Sequence, residues 1–130
     1  MTILQPPGWP RPKGYSCGVR ASGTIVFVSG QIGWDQHGRF TAHDIAGQVG
    51  QALRNVVAVL AEAGARPEHV ARMTWFVTDK REYAAAAREI GAAYREVMGR
   101  HFPAMSVVEV SALLEDEAKV EIEATAVLPA

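Results

Sequence analysis

The stretch Pro103–Val127, PAMSVVEVSALLEDEAKVEIEATAV, decides the fold. It reads as two strands with an acidic turn between them. Met105–Val110 is apolar apart from Ser106 and Glu109, and Val120–Val127 alternates. Val120, Ile122, Ala124 and Ala126 fall on one face, and Glu121, Glu123, Thr125 and Val127 on the other. Glu115, Asp116 and Glu117 mark the turn. What Met105 and Glu121 point at decides most of the functional reading.

Working back from Pro103, Asp79 and Glu82 stand at capping-box spacing, with Asp in the Ser/Thr place, and predict the start of a second helix. Tyr83, Ala87, Ile90, Tyr94 and Val97 form its apolar stripe, and Gly99 its stop. Val70–Val77 (VARMTWFV) reads as a strand. A first helix spans about Asp44 to Ala63, with Ile45, Val49, Ala52, Leu53, Val56, Val57 and Leu60 on one stripe and Gly64 at its C-terminal cap. Gly47 and Gly50 inside it each cost about 1 kcal/mol relative to alanine, and close packing on the sheet is one reason to keep them.

Further upstream, Thr24–Ser29 (TIVFVS) is a strand apolar on both faces, which predicts burial on both sides. It runs into Ser29-Gly30-Gln31-Ile32-Gly33-Trp34, where two glycines predict tight backbone or the close approach of another chain or a ligand. Asp35–Gly38 is a turn. Tyr15–Arg20 is a first short strand, and residues 1–14 form an extended proline-rich arm. The order is β-β-α-β-α-β-β, a single α+β domain over residues 1–130. Two helices with one stripe each cover one face of a sheet. The strands around Phe27, Trp75 and Val107 are apolar on both, so the uncovered face predicts an oligomer.

The bulk properties exclude several classes. A chain of 130 residues buries about two-thirds of its unfolded surface without staples. The single cysteine, Cys17, makes no internal disulfide and reads as a small buried residue, which fits a reducing, cytoplasmic setting. Pro6, Pro7, Pro10 and Pro12 interrupt any signal-peptide pattern. No apolar run approaches the roughly 18 residues of a membrane span. Net charge is −1 and the isoelectric point about 6.4, with basic residues scattered, so no nucleic-acid footprint is expected. His37, His43, His69 and His101 lack ligand spacing, so no metal is expected, nor any other cofactor.

With this order in place, the chain resembles the Rid (YjgF) family of reactive-intermediate deaminases. The matching pieces are Gly14-Tyr15, Val26–Gln31, Gln51–Val56, Ala63-Gly64, Thr78-Asp79, Phe102-Pro103-Ala104 and Val120–Ala124. The resemblance implies a chorismate-mutase-like fold and a homotrimer with ligand clefts between subunits. It also implies hydrolysis of 2-imino or 2-enamino acids to 2-keto acids and ammonia. In well-studied members an arginine after Pro-Ala grips the substrate carboxylate, and a glutamate on the last strand helps position water. The glutamate position is matched by Glu121, whereas the arginine position is Met105. A helix asparagine of the family falls on Ala87, and a cysteine on Val107. The scaffold is kept and the carboxylate clamp is absent. Methionine supplies a flexible apolar wall instead of a charge, so standard 2-imino acid activity is expected to be weak.

Each candidate also has a structural reading. Met105 is either core or cavity wall. Glu121 alone reads as a solvated strand residue, and the resemblance makes it the proton-transfer carboxylate. Tyr15 caps a pocket or packs. Ser29, Gly30 and Gln31 present groups to a ligand or turn the chain, and Trp34 with Trp9 is an aromatic wall or ordinary packing. Ser106, beside Met105, is a ligand contact and not a nucleophile, having no adjacent base. Arg11, Lys13 and Arg20 are replacement cations or solvated surface. The expectation is a small-molecule cleft in a trimer: an imine or enamine hydrolase of altered specificity, or a non-catalytic binding or regulatory trimer.

Overall fold

The computed structural model describes residues 1–130. Its main sheet has four strands, β3 (Thr24–Ile32), β6 (Val120–Leu128), β4 (Val70–Val77) and β5 (Ala104–Glu109), in that spatial order. β6 runs antiparallel to both β3 and β4, while β4 and β5 are parallel. The two strands of the opening stretch are therefore not neighbours, because β4 lies between them. A parallel β4–β5 pair needs a helical crossover, and the second helical region supplies it.

Helix α1 (Ile45–Glu62) starts where Asp44 accepts a hydrogen bond from the Gly47 amide at 3.1 Å, satisfying one free donor of the first turn. Its stripe is buried from Ile45 through Leu60, with Val57 partly so. Gly50 faces Ala93 of the second helical region and not the sheet: a Cβ there would sit 3.7 Å from the Ala93 Cβ.

The second helix is broken. α2 (Lys80–Ala85) and α3 (Ala87–Met98) meet at Ala86. Asp79 caps α2 by accepting from the Arg81 and Glu82 amides at 2.9 and 3.1 Å. The Glu82 carboxylate does not close the reciprocal half of the box; it pairs instead with Lys119 at 2.5 Å. Gly99, with φ of 69°, ends α3 in the left-handed region expected of a glycine stop.

The alternation of β6 is realised: Val120, Ile122, Ala124 and Ala126 are buried under the helices. β4 adds Val70, Met73, Trp75 and Val77 to the same core. The expectation of burial on both faces of β3 fails within the chain. Val28 is buried, but Ile25 and Phe27 are 56% and 76% exposed on the face that carries no helix.

The N-terminal segment also differs from the expectation. Its strand is shorter, β2 (Gly18–Arg20), and it pairs with β1 (Thr2–Leu4) from the proline-rich arm in a small separate sheet. Cys17 is exposed, not buried, because this ribbon lies outside the helix-covered core. Ser16 pins the segment to the main sheet. It bridges Ala104 in parallel, its amide donates to the Pro103 carbonyl at 2.9 Å, and its hydroxyl donates to the Phe102 carbonyl at 2.5 Å.

Gln48 is the buried polar exception in α1. Its amide nitrogen donates to the Glu117 and Ala42 carbonyls at 3.0 and 3.3 Å, and its oxygen accepts from the Lys119 amide at 2.8 Å. This clasp and the Lys119–Glu82 pair fix Lys119, the residue before β6 and two residues before Glu121. No helix is long and apolar enough to cross a membrane.

Candidate functional site

Register separates the two residues on which the functional reading turns. Met105 pairs with Met73, which pairs with Ala124, and all three pack on the helix-covered core. Glu121 pairs with Phe76, which pairs with Val108, one residue out of phase with that set. Successive strand residues point to opposite faces, so Met105 and Glu121 of one chain lie on opposite sides of the sheet. They do not share a site within the chain.

On the helix side, Met105 lines a cavity of about 630 Å³ between the β5 edge and the α2–α3 break. Tyr15 closes part of its mouth, and Trp75, Tyr83 and Tyr94 build an aromatic wall. Trp75 meets Tyr83 edge-on at 6.5 Å between ring centroids and lies tilted against Tyr94 at 6.2 Å. Burial pushes the phenols of Tyr83 and Tyr94 up, holding them neutral. The Tyr94 hydroxyl donates to the His101 carbonyl. The indole N–H of Trp75 is buried and finds no acceptor within the chain. Ala87 and Val107 line this same cavity. All three positions that depart from the Rid pattern are therefore gathered on one wall, and each is apolar.

Across the sheet, the open face carries Glu121, Ser29, Gly30 and Ser106. A register shift between Val28 and Gln31 bulges β3 opposite β6. The bulge lets the Glu121 side chain lie directly over Gly30, where a Cβ would sit 2.3 Å from the Glu121 Oε2. Glycine here serves close approach. Ser29 lines a shallow hollow of about 430 Å³ with Phe27, Arg72, Thr74, Glu123 and Thr125, and Ser106 pairs with Thr74 on this face. The Gln31 side chain donates to the Ser29 carbonyl at 3.1 Å.

Trp34 stands apart from both. It packs on Phe40 at 6.1 Å in a hollow that also includes Gln31 and Asn55. Asn55 donates to the Trp34 carbonyl at 2.8 Å and the Ile32 carbonyl at 3.0 Å, holding the chain as it leaves β3. Trp9 is exposed. The candidate residues thus form three groups: Tyr15 with Met105; Ser29, Gly30, Ser106 and Glu121; and Gln31 with Trp34.

Reading the sequence as stripes missed the cavity wall. Tyr83, Ala87, Ile90, Tyr94 and Val97 read as one buried stripe; Ile90 and Tyr94 are buried and Tyr83 and Val97 partly so, but Ala87 is exposed. Tyr83, Ile90 and Tyr94 also line the cavity, which lies between them and β5 beside the break at Ala86. Two tyrosines on that stripe, with Trp75 on the neighbouring strand, were the available signal.

A mixed sheet with helices on one face, an aromatic cavity at one edge and a glutamate seated on the open face define an α+β scaffold of the chorismate-mutase-like class. The sequence profile of the Endoribonuclease L-PSP family matches residues 10–128, and the chain belongs to this family, the Rid (YjgF) family. A 2-iminobutanoate/2-iminopropanoate deaminase of Salmonella typhimurium is 38% identical over 108 residues, covering 81% of this chain and 80% of the relative. The solved structure of the Rid protein YyfB of Yersinia pestis superposes with a TM-score of 0.82 at 33% identity, covering 98% of both chains. Escherichia coli TdcF, solved with bound serine, superposes with a TM-score of 0.70 at 34% identity, covering 98% of this chain and 99% of that one.

Proposed function

We propose that this protein is a homotrimeric imine or enamine hydrolase of altered specificity, with its cleft formed where two subunits meet. The observation that carries the reading is the opposite-face placement of Met105 and Glu121. A site that uses both needs the cavity of one subunit and Glu121 of the partner subunit. The exposed Ile25, Phe27 and Val108 on the Glu121 face support such an interface, because water-facing apolar surface of this kind gains by being covered.

Hydrolysis of a protonated imine adds water to the electrophilic carbon and then expels ammonia. Glu121 takes a proton from the attacking water and returns one to the departing nitrogen, leaving a carbonyl product. Gly30 leaves room for the carboxylate by offering no side chain beneath it. Met105, Ala87 and Val107 make the opposing wall apolar, which disfavours small 2-imino acids bound by a deep cation and favours a larger apolar body. The deaminase relative and the serine-bound relative support a small nitrogen-bearing ligand. A net charge of −1 gives no support to a ribonuclease reading of the family's name.

The same apolar wall favours a second reading, a binding trimer without catalysis. The test is twofold. Light scattering should give three times the 14.0 kDa chain mass. Imines generated in situ by an amino-acid oxidase, with semicarbazide as a trap, should be hydrolysed faster when their side chains are bulky and apolar, and Glu121→Gln should abolish the gain. A monomer removes the shared cleft. A trimer that binds imine products yet accelerates none leaves the binding reading.

A further inference from the structure

The cavity beside Met105 has one charged side chain on its lining, Lys13. No acidic residue lines it, and neither do Arg11 or Arg20. Arg20 borders a different hollow, with Met1, His69 and Ala130. The chain is anchored to the main sheet close to Lys13. Three residues further on, Ser16 is hydrogen-bonded to Phe102 and Pro103 and bridged to Ala104, immediately before Met105. Between them Gly14, with φ of 81°, turns the chain in a conformation that favours glycine. Lys13 is exposed and borders the cavity, so its flexible side chain can bring the ammonium to the mouth, while Trp75 and Tyr94 of the aromatic wall are buried.

We infer that Lys13 is the carboxylate-recognising residue of this cavity, and that its ligand is an amphipathic acid. The aromatic or branched apolar body lies against Met105, Trp75, Tyr83 and Tyr94, and the carboxylate is held at the mouth. This rests on the reading that the cavity is the ligand half of the cleft, and it names the ligand class and the residue that selects it. A flexible ammonium in contact with water recognises charge with little geometric demand, so chain length between ring and carboxylate is tolerated. A Met and aromatic wall suits a flat apolar body.

The test compares 3-phenylpropionate with its neutral isostere 3-phenylpropanamide by calorimetric titration of the trimer. The parent should bind the acid roughly fivefold more tightly, the scale of one solvent-exposed ion pair, and salt should shrink the difference. Lys13→Gln should bring the acid down to the amide and leave the amide unchanged, and Lys13→Arg should keep most of the discrimination. Lys13 is exposed, so assembly and melting temperature should match the parent. Running the series again in Glu121→Gln separates this inference from the catalytic reading, because the discrimination should survive where hydrolysis does not. Equal affinity for acid and amide in the parent, a difference that persists in Lys13→Gln, or no binding of either probe overturns the assignment.

Discussion

Gly30→Ala tests the seat of Glu121 with one methyl group. The new Cβ would lie 2.3 Å from the carboxylate Oε2, 2.7 Å from Cδ and 2.8 Å from Cγ. Ordinary contact begins near 3.4 Å, so the carboxylate must retreat by about 1 Å. Cγ must give way as well as the carboxylate, so the whole Glu121 side chain shifts, but it is a flexible side chain at the sheet surface and no backbone atom is among those met. The cost to folding is therefore small, about 1 kcal/mol or less. The cost to proton transfer is larger, because a displacement of about 1 Å in a positioned catalytic group is worth on the order of a hundredfold in rate. The assay pairs semicarbazide-competed imine hydrolysis with a thermal melt. The expected result is a nearly unchanged melting temperature and a loss in kcat approaching that of Glu121→Gln. A folded Gly30→Ala trimer with parental kcat would show that the carboxylate over Gly30 takes no part in the chemistry.

Met105→Arg places a guanidinium at the cavity and should raise hydrolysis of small 2-imino acids above the parent, since an arginine–carboxylate pair is bidentate and charge-assisted; the added Glu121→Gln should remove the gain, and a folded trimer with no gain would mean that Ala87 and Val107 also matter. Gln48→Ala breaks three hydrogen bonds of a buried clasp and should cost about 3 kcal/mol in urea unfolding, a loss under about 1 kcal/mol showing that the clasp is dispensable. Tyr83 and Tyr94 have raised phenol pKa values from burial, so their contribution is complete below the ordinary value of 10.0 and is lost as pH climbs above it. Melting temperature should therefore fall steadily above about pH 10, and less steeply in Tyr94→Phe; a flat profile up to about pH 11 would count against buried phenols.

Much of the scaffold was legible because it is written in periodicities. The α1 stripe, the VARMTWFV strand and the alternation of Val120–Val127 each carry enough apolar repeats to fix an element and its buried face. Strand order was not legible. Nothing local in Met105–Val110 or Val120–Val127 says that β4 separates them, because that depends on pairing across long stretches of chain. The helix break at Ala86 was hidden for a related reason. Ala85, Ala86 and Ala87 are good helix formers, and nothing in that run marks where α2 ends and α3, which packs along α1, begins. The site was legible as a set of residues and not as an arrangement. A pattern match brought Met105 and Glu121 together, and only the register of β4 with β5 and β6 put them on opposite faces.

The Ser16 clasp also has a history in time. Its two ends are separated by 86 positions along the chain. During synthesis the donor emerges early and waits for an acceptor made near the end. Closing a loop of that length is slow beside the winding of α1, which needs only its own neighbours. The segment before Ser16, which borders the mouth of the aromatic cavity, is accordingly expected among the last parts to assemble. A nascent or partly refolded chain can hold α1 in native form and still have nowhere to capture a small acid, so ligand protection during refolding should appear late, after helical signal has recovered.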